Sequence, residues 1–403
     1  MSILKTYQRL FVSVYLPTAC FAVATQAAIV LLPLYILSQR GDSPSALALA
    51  SFVVGMRGLG MLLGDLPSGA LTTRFGDKPV MLAGAIGVGL TCILFSFSAN
   101  PVYLVVLTLL YGVSNAAWLL ARLSFISDTC SLQEKGRVIA LMAGIQRGGG
   151  LIGPALGGLI ATLFGYEAAL IAIGCIGLVG TIPIALGAPN AKTQEKPEGK
   201  HHHRLKQVIS TNWKLFATAG VGATALMSLR GARQLVLPLY GHAIGLDPVQ
   251  IGLVFSITSA LDMSMFYPAG LVMDKLGRKW AAVPGTIGLA LGLALLPWAG
   301  GFWSLTLVGL MMAAANGLAT GVLMAMGSDY SPSHNRGEFL GVWRLTCDLG
   351  FAGGPLVVSL FVGLLGLASA TWVVAALGFA GGVVMGLFAP EPLRKAAPDK
   401  SGG

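Results

Sequence analysis

Residues 270–279 form a charged turn between two long apolar segments and read Gly270-Leu271-Val272-Met273-Asp274-Lys275-Leu276-Gly277-Arg278-Lys279. A turn of the same spacing lies 201 residues earlier and reads Gly69-Ala70-Leu71-Thr72-Thr73-Arg74-Phe75-Gly76-Asp77-Lys78. The same offset relates Asn115 to Asn316, Gly149 to Gly350 and Pro154 to Pro355. Agreement at a constant offset predicts that the chain consists of two homologous halves.

The composition restricts the class of protein. Of 403 residues, 55% are hydrophobic, a further 55 residues are Gly, and only 10% are charged, whereas a soluble domain has about 25% charged residues. Soluble enzymes and nucleic-acid-binding proteins are therefore excluded. Twelve membrane-spanning helices need about 240 apolar residues, which the chain supplies. The sequence predicts an all-α polytopic membrane protein with twelve transmembrane helices in two pseudo-symmetric six-helix bundles, with a site near the midplane between them.

Apolar segments separated by polar loops predict the individual spans. They are residues 10–38, 46–71, 79–98, 102–126, 138–163, 167–187, 212–241, 249–272, 280–299, 303–328, 339–365 and 368–389. The predicted domains are an N-terminal bundle over residues 1–187, a cytoplasmic linker over 188–211, a C-terminal bundle over 212–389 and a cytoplasmic tail over 390–403.

Basic residues are concentrated on one side of the predicted membrane protein. Nineteen of the 26 Lys and Arg fall in the tails or on loops that share the side of the linker, whereas the opposite loops hold only Arg40. The positive-inside rule places both termini in the cytoplasm of a multi-pass protein of the cell inner (plasma) membrane. The net charge of +10 favours contact with anionic membrane lipids and does not indicate nucleic acid.

The turn at residues 270–279 resembles the loop signature of the major facilitator superfamily. The resemblance implies that its charges tie neighbouring helix ends together and stabilise the outward-open state. The implied gating residues are Gly270, Asp274, Lys275, Gly277 and Arg278 in this copy, and Gly69, Arg74 and Gly76 in the first-half copy. In the first half, Thr73 stands at the acid position, which leaves Asp65 or Asp77 as substitutes.

The predicted fifth helix carries Gly149-Gly150-Leu151-Ile152-Gly153-Pro154-Ala155-Leu156-Gly157-Gly158. This run resembles the antiporter motif of the drug:proton antiporter branch. Glycines four residues apart clear one helix face for close contact, and Pro154 removes a backbone hydrogen bond. The pattern predicts a hinge or sliding seam that involves Gly149, Gly153 and Gly157. The Arg usual in helix 4 of that branch falls near Tyr111, so the usual proton relay does not transfer.

Nine ionisable residues lie within the predicted spans, namely Arg57, Asp65, Arg122, Arg147, Arg230, Arg233, Asp262, Arg344 and Asp348. Because each costs about 3 kcal/mol at the bilayer centre, we expect them to pair or to face a cavity. Arg147 and Asp262 lie at similar distances from the cytoplasmic ends of their predicted helices, and so do Asp65 and Arg344. Each pair could therefore form an ion pair. Asp348 lies one turn from Arg344. We interpret these five residues as gating ion pairs, as proton-coupling groups, or as both.

Arg57, Arg230 and Arg233 have no acid at their level on their own helices. Either they snorkel to headgroups, or they form a basic cavity that favours a carboxylate or phosphate over a lipophilic cation. Further candidate substrate contacts, for which ordinary packing is the alternative, are Tyr35, Asn115, Trp118, Tyr240, Asn316 and Trp343.

The sequence indicates no cofactor. Its glycine-rich stretches lie within apolar helices, the five Cys show no ligand spacing, and His201-His202-His203 has no acid or Cys cluster beside it. We therefore expect a monomeric, non-enzymatic transporter that exports a small organic anion or zwitterion in exchange for protons by alternating access. The alternatives are a proton-coupled or exchange importer of an organic anion and a transport-inactive membrane receptor.

Overall fold

The computed structural model describes residues 10–130, 132–187, 208–332 and 335–391. The chain is helical almost throughout these ranges. The helices are α1 (Phe11–Arg40), α2 (Pro44–Phe75), α3 (Asp77–Phe95), α4 (Pro101–Thr129), α5 (Leu132–Phe164), α6 (Tyr166–Gly187), α7 (Val221–Ala243), α8 (Pro248–Lys275), α9 (Lys279–Trp298) and α10 (Phe302–Tyr330). The final run, Arg336–Phe388, is interrupted at Gly366, and we label its two parts α11 (residues 336–365) and α12 (residues 367–388).

Within the described ranges, nine helical runs are long and apolar enough to cross a membrane, and the last of them contains both α11 and α12. The all-α membrane fold is therefore confirmed, while the exact number of twelve crossings stays a prediction. α5 and α7 are not among these nine runs. Both helices contain Arg residues, which lower their hydropathy. The predicted linker lies largely outside the described residues, as do His201-His202-His203 and most of the tail, but residues 208–211 are helical.

Several helices begin where the sequence offers a cap followed by Pro. Ser43, Asn100 and Asp247 accept hydrogen bonds from backbone N–H groups of the first turn, and Pro occupies the next position in each case. All three caps lie at one end of the molecule, where α1 ends and α2 begins. We call this end the outer end and the opposite end the inner end, after the predicted topology.

The hydrophobic core consists of two clusters. One is formed within residues 10–184. The other is formed by residues 208–389 together with a few side chains of α1 and α2, such as Val30 and Val54. The predicted contacts between the halves are present, because α5 packs on α8 and α2 packs on α11. The exact domain boundaries stay a prediction.

Two glycine-rich faces of α5 explain its position between α1 and α8. Gly149 and Gly153 lie so close to the α1 backbone that a side chain at either position would collide with it. On another face, Gly158 meets the backbone of Pro248 at the start of α8 in the same way. The repeat position Gly350 meets Thr224 of α7 as Gly149 meets Ala22 of α1. The predicted seam on α5 therefore serves contacts within the first half and between the halves.

Candidate functional site

A cavity of about 350 Å³ lies between the two halves. Its lining residues come from α1 and α5 of the first half and from α7, α8, α10 and α11 of the second half. The contribution of α10 includes the break in that helix. The lining residues are Gln26, Ile29, Arg147, Gly150, Pro154, Met227, Arg230, Arg233, Gln234, Phe255, Ser259, Asp262, Asn316, Thr320, Gly321 and Phe351. Six of the predicted site residues, three Arg, one Asp, one Asn and Pro154, are therefore brought together in one cavity.

Asp262 is the acid of this cavity. Asn316 donates a hydrogen bond from Nδ2 to Asp262 Oδ2 at 2.7 Å, and a guanidinium nitrogen of Arg233 lies 4.0 Å from the same oxygen. The second carboxylate oxygen, Oδ1, is buried and has no hydrogen-bond partner among the described residues. Arg233 has no acid on its own helix, and Asp262 on α8 therefore supplies its counter-charge.

Arg230 binds the end of a broken helix. It donates hydrogen bonds to the backbone oxygen of Ala319 at 2.9 Å and to that of Asn316 at 3.4 Å. These carbonyls are exposed because α10 stops at Leu318 and resumes at Val322, with Gly321 between them at a φ of 74° that suits Gly. The carbonyl end of a helix carries partial negative charge, which compensates part of the positive charge of Arg230.

Arg147 has a different environment from the one predicted. Its guanidinium lies over the ring of Phe266, 4.9 Å from the centroid. The expected ion pair with Asp262 is not formed in this conformation, because Asp262 is turned toward Asn316 and Arg233. In the described ranges Arg147 makes a cation–π contact and no ion pair, so its positive charge lacks a counter-charge.

Arg57 lies beside the cavity and not on its wall. It donates a hydrogen bond to Gln234 Oε1 at 2.7 Å, and its guanidinium is 5.8 Å from the ring centroid of Phe351. Both partners belong to the second half and line the cavity. The snorkelling alternative is therefore corrected for the three Arg: Arg57 spans the two halves, and Arg230 and Arg233 face protein groups.

The cavity is closed at the outer end by three hydrogen bonds between the halves. The first joins His242 Nε2 and Asp42 Oδ1 at 2.8 Å. In the second, the backbone N–H of Val249 donates to Thr162 Oγ1 at 3.2 Å. In the third, Ser359 Oγ donates to the backbone oxygen of Ala48 at 2.8 Å.

Toward the inner end, Arg344 joins two acids. Its NH2 group donates to Asp65 Oδ1 at 3.2 Å across the boundary between the halves, and its Nε lies 3.5 Å from Asp348 Oδ2 on the same helix. This arrangement agrees with the predicted pairing of Asp65 and Arg344. Beyond it, a side chain at Gly144 of α5 or at Gly341 of α11 would meet no atom within 4 Å.

The second-half charged turn forms a network at the inner end. Arg278 forms ion pairs with Asp274 and with Asp329 of α10, each at 2.9 Å. Burial lowers the pKa of the Arg278 guanidinium, but its hydrogen bonds to Asp329 and Asp274 outweigh burial and raise that pKa above its usual value. Glu391, just after α12, accepts hydrogen bonds from the backbone N–H groups of Arg278 and Lys279. The turn thus ties together the inner ends of α8, α9, α10 and α12.

Residues of the two predicted gating turns differ in the number of contacts they make with neighbouring helices. Lys275 is exposed, and a side chain at Gly270 would meet open space, whereas one at Gly277 would collide with Glu391. In the first-half copy, Thr73 donates to the backbone oxygen of Gly69, Arg74 lies over the ring of Phe75, and Gly76 ends α2 with a φ of 87°. Of the two candidate substitutes for the missing acid, Asp65 joins the halves through its contact with Arg344.

Several predicted substrate contacts lie outside the cavity lining, and the prediction is corrected accordingly. Tyr35 and Trp118 are buried in the first-half core, and Tyr240 and Trp343 in the second-half core. Trp118 stacks on Phe21 at 4.5 Å between centroids, and Trp343 donates to the backbone oxygen of Leu323 at 2.8 Å. Asn115 contacts Met61 instead of the cavity. Aromatic packing between helices of one half accounts for these positions.

Sequence reasoning missed the uncharged part of the cavity wall. Gln26, Gln234 and Ser259 are polar residues within otherwise apolar spans, which was a usable signal. Phe255 and Phe351 carry no signal that separates a cavity wall from a packed core. The cavity therefore combines a charged region with an apolar one, a combination that suits an amphipathic organic solute.

Comparisons with known proteins agree with this architecture. The sequence profile of the Major Facilitator Superfamily matches residues 14–232 and, a second time, residues 227–403. The chain is 25% identical to the class C tetracycline resistance protein of Escherichia coli over 75% of this chain and 76% of that protein. It is 23% identical to the putative niacin/nicotinamide transporter NiaP of Bacillus subtilis (strain 168), over 76% of this chain and 78% of that protein.

Among solved structures, that of the nucleoside transporter NupG superposes with a TM-score of 0.78 at 14% identity, and the match covers 94% of this chain and 98% of that chain. The likeness covers both halves and supports the fold. The two profile matches, which together span most of the chain, show a multi-pass membrane transporter and not an enzyme. The chain therefore belongs to the major facilitator superfamily.

Proposed function

We propose that the protein exports a small organic anion or zwitterion across the inner membrane in exchange for protons. The observation that carries the proposal is the cavity between the halves, in which Arg147 faces Arg230 and Arg233 from the opposite half and lacks a counter-charge. The protein would work as a monomer surrounded by membrane lipids, with both termini in the cytoplasm.

The charges in the cavity favour one negative group on the substrate. Arg233 is compensated by Asp262, and Arg230 is partly compensated by the carbonyls at the break of α10. The charge of Arg147 remains. A carboxylate or phosphate accepts paired hydrogen bonds from a guanidinium, whereas a cation in the same place would be repelled.

The rest of the cavity indicates the remainder of the substrate. Phe255, Phe351 and Met227 supply apolar surface, and Gln26 and Ser259 supply uncharged polar groups. A volume of about 350 Å³ falls at the lower end of the range for small-molecule pockets. We infer a compact solute whose anionic group lies between Arg147 and Arg230 and whose apolar part contacts the two Phe rings.

Two observations support export. The glycine-rich face of α5 resembles the antiporter motif, and here it forms close contacts with α1 and α8. The class C tetracycline resistance protein, to which the chain is similar, is named for drug resistance. The hydrogen bonds that join the halves at the outer end support a state in which a cytoplasmic solute reaches the cavity, which is the loading state of an exporter.

Import of an organic anion is the second candidate function. It is favoured by the similarity to a protein named as a niacin/nicotinamide transporter. The same cavity would serve this function, because an inward-facing state is also the releasing state of an importer. The direction of coupled flux separates the two functions.

The test of the proposed cavity uses purified protein and a panel of monocarboxylates, dicarboxylates, zwitterions and lipophilic cations in a thermal-shift screen. We expect stabilisation by an anionic or zwitterionic ligand, and loss of that stabilisation in Arg147→Gln. Arg74→Gln is the matched control, because Arg74 lies on the ring of Phe75 at the inner end of α2 and outside the cavity. Binding of lipophilic cations alone would overturn the proposal.

A further inference from the structure

We propose that the cluster of Asp65, Arg344 and Asp348 binds the coupling proton. The inference rests on the proton exchange proposed above and assigns it to a place in the structure. Two carboxylates share one guanidinium in this cluster. The third acid within the spans, Asp262, has the opposite surroundings.

The charge balance at each acid carries the argument. Asp65 and Asp348 bring two negative charges to the single positive charge of Arg344, so the cluster has one carboxylate in excess. A proton on either acid restores a one-to-one balance. Asp262, in contrast, lies among Arg147, Arg230 and Arg233, so a proton there would increase an existing excess of positive charge.

Within the part of the chain that the structure describes, no further positive group acts on the two carboxylates. Arg344 and Asp65 are the charged groups that act on Asp348, and Arg344 is the one that acts on Asp65. Cys347, next to Asp348 in the sequence, interacts electrostatically with both Asp348 and Arg230, and Arg230 itself binds the carbonyls of α10. On the side of α4, Asn115 bonds Met61 of α2.

The position of the cluster allows exchange of a proton with water. The side chains of Asp65 and Asp348 are 22% and 29% exposed, and that of Arg344 is 53% exposed. The bond from Arg344 to Asp65 lies nearer the inner end than the bonds between the halves that involve Arg57 and His242. Because none of the three side chains is fully buried, water at the inner end can reach the carboxylates.

The same position links the proton to movement. Asp65 is on α2 of the first half and Asp348 is on α11 of the second, so loss of the shared proton leaves an uncompensated repulsion across the boundary between the halves. Gain of a proton from water removes that repulsion and leaves Arg344 with one carboxylate. The step transfers a proton from water to a carboxylate oxygen and changes no other bond.

The test is infrared difference spectroscopy of the purified full chain after a pH jump, which records carboxyl protonation without substrate or flux. We expect a carboxyl signal in the unmodified protein and in Asp262→Asn. The signal should be lost in both Asp65→Asn and Asp348→Asn, because either change leaves one acid facing Arg344. Asp128→Asn, an exposed residue at the end of α4, is the control that keeps the signal.

The experiment distinguishes failure of the proton site from failure of the proposed exchange. Loss of the signal in Asp262→Asn and its persistence in the two cluster variants would overturn the inference, as would a pH jump that gives no carboxyl signal. A normal signal in a protein that shows no proton-coupled flux would leave the cluster as a proton site and contradict the exchange. Thermal unfolding of each variant identifies any variant that fails to fold.

Discussion

Arg344 on α11 donates a hydrogen bond to Asp65 on α2 at 3.2 Å, and its Nε lies 3.5 Å from Asp348, one turn away on α11. This triad joins the two halves on the inner side of the cavity, whereas Asp42 and His242 join them at the outer end. Alternating access requires that such contacts break in turn. The two contacts therefore mark the groups through which substrate and protons would control the movement.

Replacing Arg344 should harm the protein more than replacing either acid. In Arg344→Gln, Asp65 and Asp348 face each other without a cation, whereas Asp348→Asn leaves a balanced pair. We expect a lower Tm for Arg344→Gln by an amount equivalent to about 1 kcal/mol, since the site is half exposed, and a nearly unchanged Tm for Asp348→Asn. Thermal unfolding in the same detergent measures both. Equal losses would contradict the charge balance.

Removing the charge of Arg147 should weaken binding of an anionic ligand without a large effect on folding. A hydrogen bond to a charged group contributes about 1.5–3 kcal/mol, so the Kd should rise by roughly 10-fold to 100-fold in Arg147→Gln. Titration calorimetry with a ligand from the screen gives the Kd. Arg147→Lys should recover only part of the affinity, because Lys lacks the paired donors. An unchanged Kd would remove Arg147 from the site.

A side chain at Gly252 should force open the outer seam between α5 and α8. Its added Cβ would collide with the backbone oxygen of Pro154, so Gly252→Val cannot keep the closed outer end. We expect a longer distance between spin labels at Thr162→Cys and Val249→Cys. Gly144→Val is the control, since its side chain would meet open space. A distance that stays the same in Gly252→Val would show that the seam does not move.

Loss of the carboxylate at Asp42 should favour the outward-open state modestly. Asp42 is 72% exposed, and an exposed contact of this kind contributes about 1 kcal/mol at most, which corresponds to a change of roughly fivefold in the ratio of states. The same spin-label pair at the outer end, measured in Asp42→Asn, reports this ratio. A shift toward the closed state would exclude a latch between Asp42 and His242.

The sequence was sufficient for the pairing of helices because the repeat constrains it. The offset of 201 residues relates Pro154 to Pro355 and predicts that α5 and α11 occupy equivalent places, and they do. Depth along a helix was a weaker guide, because it says nothing about the direction of a side chain around the helix axis. Arg147 and Asp262 match in depth, yet Arg147 is turned to Phe266 and Asp262 to Asn316.

The same limit explains the aromatic residues. Tyr35 and Tyr240 lie on helices that approach the boundary between the halves, but both side chains are buried in the cores. The carbonyl partners of Arg230 could not be predicted, because hydropathy does not reveal the break of α10 at Gly321. Local backbone irregularity and helix rotation, and not the choice of residue types, decided which polar groups line the cavity.

Exchange of an anionic or zwitterionic solute for protons can be measured as flux in proteoliposomes. Protein is reconstituted with a ligand identified by the thermal-shift screen, and a pH gradient is imposed with and without a protonophore. We expect solute movement against the direction of proton flow, abolished by the protonophore and by Arg147→Gln but retained in Arg74→Gln. Solute movement in the same direction as protons, or flux that does not depend on the gradient, would contradict it.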